Sequence, residues 1–263
     1  MGLSKTWVRK TAAFLLLALA MALSLRGIAR SSDEITVSAA ASLKNAFEEI
    51  GKALEAQQKG AKIHFNFGAS GDLMRQIEGG APVDVFASAA LREMDELERK
   101  NMILAGTRHD FIGNSILLIR PAGSGVGIRT FDDLKKQDVK RISIGNPSTV
   151  PAGMYAEQTL RYLNLWDAVK DKLIFGENVR QVLDYVARGE VDAGIVFSSD
   201  ATVRPKQVEA VMQAPEESHK PVVYVIAVVK GTANEALAEK FLNFVLSNGA
   251  KRILQGYGFK PLP

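Results

Sequence analysis

Four times in this chain a β-like run ends in small or capping residues and passes directly into a helix-spaced run. The first is the clearest. Ile35 and Val37 are β-branched and alternate, as a strand wants. After Ala39-Ala40-Ala41, Ser42 stands where an N-cap belongs. Leu43, Ala46, Phe47, Ile50 and Leu54 then keep the spacing of one helical face. Phe65-Asn66-Phe67-Gly68-Ala69-Ser70-Gly71-Asp72-Leu73 repeats the design. Ile142-Ser143-Ile144-Gly145 leads through Ser148 and Thr149 to Pro151, which suits a first helical turn. Glu177-Asn178-Val179 opens a fourth helix with Asn178 as its cap. A helix that begins this way leaves backbone N–H groups without partners in its first turn. With the positive end of the macrodipole, that makes an anion site. One such start is ordinary in an α/β protein. Four of them, with no catalytic-looking cluster beside any, suit an oxyanion held between two lobes.

Strand–helix alternation continues through the chain and predicts an α/β fold with parallel sheets. Strands are expected at 35–37, 62–67, 83–87, 115–119, 141–144, 193–197 and 222–229. Helices are expected at 43–57, 71–78, 90–100, 131–137, 151–163, 179–188, 234–246 and 249–255. The apolar runs 115–119 and 222–229 lie far apart in sequence. If they are neighbours, the chain crosses between lobes twice and residues 118–222 form an inserted lobe. Residues 30–117 and 223–263 then form the other. Gly123-Ser124-Gly125-Val126-Gly127 lacks the lysine of a phosphate loop and reads as a surface turn.

The first residues are expected to lie outside the fold. Lys5, Arg9 and Lys10 precede an apolar stretch, 11–25, of about fifteen residues, short for a membrane span and suited to a signal peptide. Cleavage is expected after Ser24 or Ala29, giving a signal peptide of 1–29 and a secreted chain. The whole chain carries +4, and residues 1–29 contribute Lys5, Arg9, Lys10 and Arg26 with no acid, so the remainder is 4 − 4 = 0. That balance gives no footprint for nucleic acid. With no cysteine there is no disulfide framework, no thiolate metal site and no lipid-bearing cysteine.

Hydrolytic chemistry needs a nucleophile with a base. The only histidines are His64, in a strand pattern, His109, in a loop, and His219, in a charged loop. None has triad spacing, and there is no Gly-x-Ser-x-Gly elbow. No histidine pair or carboxylate cluster suits a metal. Asp72 and Asp200 fall near helix starts, where a carboxylate complements the dipole. Their functional alternative is to accept a hydrogen bond from a proton-bearing anion such as hydrogen phosphate.

Ala-Ala-Ala-Ser-Leu at 39–43, Phe-Gly-Ala-Ser-Gly-Asp-Leu at 67–73 and Gly-Ala-Pro-Val-Asp-Val-Phe-Ala-Ser-Ala at 80–89 resemble the molybdate-binding proteins of ABC transporters. So do Val-Pro-Ala-Gly-Met-Tyr-Ala at 150–156, Glu-Asn-Val-Arg at 177–180, Gly-Ile-Val-Phe-Ser-Ser-Asp-Ala at 194–201 and Gly-Tyr-Gly-Phe at 256–259. The resemblance implies a type II periplasmic-binding-protein fold: two α/β lobes, each a central sheet flanked by helices, with a two-strand hinge. It implies a monomer in the periplasm that captures molybdate or tungstate and delivers it to a membrane permease. It implies no enzyme activity, no cofactor, and molybdenum held only as its oxyanion, without a direct protein ligand. The family's contacts fall on Ser42 and Ser70, through hydroxyl and amide, and on the backbone N–H groups of Ala152 and Val179. The fifth family contact is a tyrosine hydroxyl, and Phe197 stands in its place. A binding protein for sulfate or phosphate shares the fold, and an arginine or carboxylate in the cleft would favour it. A secreted hydrolase is the third reading, and a histidine beside Ser42 or Ser70 would favour that.

Overall fold

The computed structural model describes residues 33–262. The expected signal peptide and its cleavage points lie outside the described residues. Two five-stranded sheets form the framework. The first runs β2 (Lys62–Gly68), β1 (Glu34–Ala40), β3 (Val85–Ser88), β10 (Val223–Val228), β4 (His109–Gly113). The second runs β7 (Leu173–Gly176), β6 (Ile142–Gly145), β8 (Ala193–Phe197), β5 (Ile116–Pro121), β9 (Val208–Gln213).

The sheets are mixed rather than parallel. β1 pairs parallel with β2 and β3, and β6 pairs parallel with β7 and β8. β10 is antiparallel to both its neighbours, and so is β5. The two long apolar runs are therefore not neighbours: each is a buried strand of a different sheet. The chain nevertheless passes between the sheets twice, through Asn114–Ser115 and through residues 214–222. β5 starts at Ile116, which pairs with Phe197. Ile116 and Leu117 thus pair in the second sheet, just before the division expected after residue 117.

Helices cover both faces, which is why β10 is apolar and buried along its whole length. Its side chains alternate between layers, as the strand period of two requires. Val225 and Ala227 pack with Leu73, Ile77, Met94 and Leu97 of α2 (Ser70–Glu78) and α3 (Leu91–Arg99). Tyr224, Ile226 and Val228 face the other core, with Phe47, Ile50 and Phe241 of α1 (Lys44–Gln57) and α8 (Glu235–Leu246). Phe47 sits with its ring centroid 6.2 Å from Phe65 and 5.8 Å from Phe241. The second sheet carries α4 (Pro151–Tyr162), α5 (Trp166–Val169), α6 (Val179–Ala187) and α7 (Ser198–Ala201); α9 (Asn248–Gly256) follows α8. The helix expected at 131–137 is a 3-10 turn, Phe131–Lys135. The glycine-rich stretch is a turn beside Glu209, whose carboxylate accepts the Gly123 N–H at 2.9 Å. Among the described residues no helix is long and apolar enough to cross a membrane.

Three strands are absent from the sequence reading: β4, β7 and β9. All three are edge strands. His109, expected in a loop, opens β4.

Candidate functional site

The helix starts singled out in the sequence converge where the two sheets face each other. Ser42, Ser70, Ala152, Val179 and Phe197 all line one small, tightly closed cavity. The other lining residues are Ala40, Ala41, Gly68, Ala69, Ala89, Val150 and Pro151, so none of the described residues that form the wall carries a charge.

Local chemistry explains which N–H groups are left for the cavity. In α4, Pro151 holds the first position and has no N–H, so Ala152 supplies the first one. Gly153 lets that turn approach β6 closely: a Cβ there would lie 1.9 Å from the Gly145 carbonyl oxygen. In α6, the Asn178 side chain accepts the N–H groups of Arg180 (3.0 Å) and Gln181 (3.1 Å), as expected of a cap. That leaves the Val179 N–H at the first position. In α2, the Gly71 N–H donates to the Thr149 carbonyl at 2.9 Å and the Asp72 N–H to Ala69, leaving Ser70.

Neither serine is the cap it was expected to be. Ser42 lies inside a 3-10 turn, Ala41–Leu43, ahead of α1, and its Oγ is 2.8 Å from the Tyr224 hydroxyl. Ser70 is the first residue of α2, not the residue before it, and its Oγ accepts the Ala89 N–H at 3.1 Å. Tyr224 is fully buried, and burial pushes its pKa well above 10, so its hydroxyl stays protonated.

Phe197 is 1% exposed and forms a wall. Its ring centroid lies 6.3 Å from that of Tyr155 and 5.7 Å from that of Tyr224. Ser198 and Ser199, the obvious substitutes for a missing hydroxyl, both engage Asn114, each at 2.8 Å. Tyr224, from the first sheet, brings its hydroxyl to within 2.8 Å of Ser42 Oγ.

One ion pair stands directly behind the wall. Arg180 Nε lies 2.8 Å from Asp200 Oδ1, close enough for charge pairing but out of line for a good hydrogen bond. Arg180 Nη2 crosses between the sheets to donate to the Ser42 carbonyl at 3.0 Å. Asp200 is fully buried, and desolvation pushes its pKa up to about 6, opposed by the Arg180 charge and by the Phe197 N–H. Its role is therefore to face Arg180 and the start of α7, not to line the cavity. Asp72 pairs with Arg75 at an exposed position. Of the histidines, His64 and His109 are exposed, His219 packs on Tyr155, and none lines the cavity. Among the described residues no acidic, histidine or cysteine cluster could hold a metal.

Two further bonds join the facing elements: Gly71 N–H to Thr149, already described, and Arg92 Nη2 to the Ser148 carbonyl at 3.2 Å. Sequence reasoning missed Tyr224, Asn114 and Arg180. Tyr224 carries the one hydroxyl in the run 222–229, and Asn114 directly precedes the run 115–119, so each was marked by polarity in an apolar setting.

The molybdate-binding protein ModA of Haemophilus influenzae is 42% identical over 234 residues, covering 87% of this chain and 91% of that protein. The substrate-binding domain of a putative molybdenum ABC transporter from Clostridium difficile is 37% identical, with a TM-score of 0.68 over 88% of this chain and 99% of that one. The periplasmic molybdate-binding protein of Azotobacter vinelandii, 24% identical, shares the fold with a TM-score of 0.79 over 87% of this chain and 99% of that one. The family described as bacterial extracellular solute-binding protein matches residues 35–260, and with those two lobes and that cleft the chain belongs to it.

Proposed function

We propose that this protein captures molybdate, and tungstate with it, in the cavity between its lobes and delivers it to the membrane permease of an ABC transporter. It is a binding protein and performs no chemistry on the anion. The observation that carries the reading is the cavity lining: residues of helix starts from both sheets, two serines among them, and no charged side chain among the described residues. Such a wall replaces a dianion's hydration shell with fixed neutral dipoles. Hydrogen bonds to a charged group contribute about 1.5–3 kcal/mol each, so several of them outweigh association costs and reach sub-micromolar affinity.

The contacts are Ser42 and Ser70, through hydroxyl and amide, and the amides of Ala152 and Val179. Phe197 closes the wall where the family places a tyrosine. The wall supplies donors and few acceptors, which disfavours hydrogen phosphate because its own O–H would go unpaired. Sulfate presents the same acceptors as molybdate at a smaller radius, so only cavity size separates them. Arg180 near the cleft would have favoured another anion, but its charge is already faced by Asp200. The two lobes close on the anion about the two chain crossings. The protein acts as a monomer in the periplasm after removal of residues 1–29.

Calorimetric titration with molybdate, tungstate, sulfate and phosphate tests the reading. Molybdate and tungstate should bind one to one at sub-micromolar concentration, and sulfate and phosphate at least about a hundredfold more weakly, a difference of roughly 2.7 kcal/mol. Tighter binding of sulfate or phosphate would move the protein to the runner-up substrate class.

A further inference from the structure

We infer that Tyr224 is a positioning residue for anion capture: its hydroxyl donates to Ser42 Oγ and so commits the Ser42 proton to the bound oxyanion. The direction of the chain of hydrogen bonds follows from its far end. The Ser115 backbone N–H, which can only donate, bonds to Asn114 Oδ1 at 2.9 Å. That contact fixes which end of the Asn114 amide is oxygen. Ser198 Oγ donates to the same oxygen at 2.8 Å. Asn114 Nδ2 then has two protons to place, and it has two acceptors: Ser199 Oγ at 2.8 Å and the Tyr224 hydroxyl oxygen at 3.3 Å.

Tyr224 therefore accepts from Asn114. Its own proton is buried and needs an acceptor. Among the described residues the acceptor in reach is Ser42 Oγ, at 2.8 Å. Once Ser42 accepts from Tyr224, its remaining proton is free for the cavity it lines. The reverse arrangement would turn a lone pair of Ser42 toward the anion, a repulsive contact. Ser70 is set the same way by simpler means, since a backbone N–H occupies its oxygen. Ser42 has no amide in that role and depends on a side chain from β10.

The relay also joins the site to the chain crossing. Asn114 lies in the first crossing between the sheets, and Ser198 and Ser199 open α7 on the second sheet. The Ser42 proton is thus oriented fully only when the crossing, α7 and β10 are in register.

The inference rests on the proposed anion site, and its test separates the two. Tyr224→Phe, Ser42→Ala and the double variant are titrated with molybdate, tungstate and sulfate beside the wild type, and each is melted without ligand. Tyr224→Phe should weaken binding of the preferred anion about tenfold, or about 1.4 kcal/mol. The double variant should bind no more weakly than Ser42→Ala alone. A Tyr224 that serves packing only would lower the unliganded melting point and weaken binding equally in both serine backgrounds, which would overturn the inference. So would Tyr224→Phe binding like the wild type. If Tyr224→Phe does not fold, Asn114→Asp replaces it. The carboxylate accepts the Tyr224 proton and reverses the relay, so its loss of affinity should shrink when Ser42 is already alanine; an undiminished loss would overturn the inference. A wild type that binds none of the three anions would remove the proposed function and this inference together.

Discussion

Replacing Ser42 by alanine removes a cavity hydroxyl and also strips the buried Tyr224 hydroxyl of its acceptor. Replacing Ser70 does the same to the Ala89 N–H. Each variant should therefore lose about 1.5–3 kcal/mol of molybdate affinity, the value of a bond to a charged group. Each should also lose about 1–3 kcal/mol of stability from the orphaned partner, more than a lost cap would explain. Titration and denaturant unfolding read the two separately. Wild-type affinity in both variants would leave these serines with a structural role alone. Phe197→Tyr should tighten binding by up to about 1.5–3 kcal/mol if its hydroxyl finds the anion. A tenfold loss in the same titration, about 1.4 kcal/mol, would mean the pocket is already closed around the phenyl ring. Asp200 makes a prediction of another kind. Burial raises its pKa from 3.8 to about 6, so between those values the folded chain holds a proton that the unfolded chain has released. Stability from this group is fully present below about pH 4 and is lost as pH rises through about 6. Asp200→Asn removes that slope. Unfolding at several pH values should show the wild type's stability, relative to the variant, greater at pH 4.5 than at pH 7; a constant difference would mean that Asp200 titrates normally.

At the scale of the element, the N-terminus of α2 is both part of the proposed binding site and a contact across the cleft. A Cβ on Gly71 would lie 2.8 Å from the Thr149 carbonyl oxygen and 2.9 Å from its Cα, across the cleft. Backbone cannot move aside cheaply, but the lobes can part. Gly71→Ala should therefore weaken molybdate binding by tenfold or more, about 1.4 kcal/mol, and leave the unliganded stability near that of the wild type, since alanine favours a helix by roughly 1 kcal/mol over glycine. Equal affinity with a lowered melting point would contradict this. The elements themselves were unevenly legible. Buried strands such as β10 and β8 announce themselves as apolar runs because helices cover both their faces. β4, β7 and β9 do not, because edge strands keep polar or exposed residues: Ile174 and Phe175 of β7 are 40% and 51% exposed, and β9 carries Glu209 and Gln213 on either side of a short apolar run. Asn178 was readable as a cap because its side chain acts on its own helix. The partners of Ser42 and Ser70 were not, since Tyr224 and Ala89 are distant in sequence and come near only through the sheet order.

For the whole molecule, helix starts separated by more than a hundred residues build one cavity, because the chain crosses between its two sheets twice. The helix starts marked by the sequence pattern and the residues implied by the family resemblance all line that cavity, while the relay from Asn114 to Ser42 and the Arg180–Asp200 pair depended on tertiary register that no local spacing reveals. The central claim is that the anion sits on these neutral dipoles with the lobes closed over it. Anomalous X-ray diffraction at the molybdenum edge, on crystals of the protein grown with molybdate, tests it most directly. One molybdenum peak is predicted within hydrogen-bonding reach, through its oxygens, of Ser42, Ser70, Ala152 and Val179. A peak elsewhere, or one whose oxygens are held by Arg180 or another charged side chain in place of those groups, would contradict it.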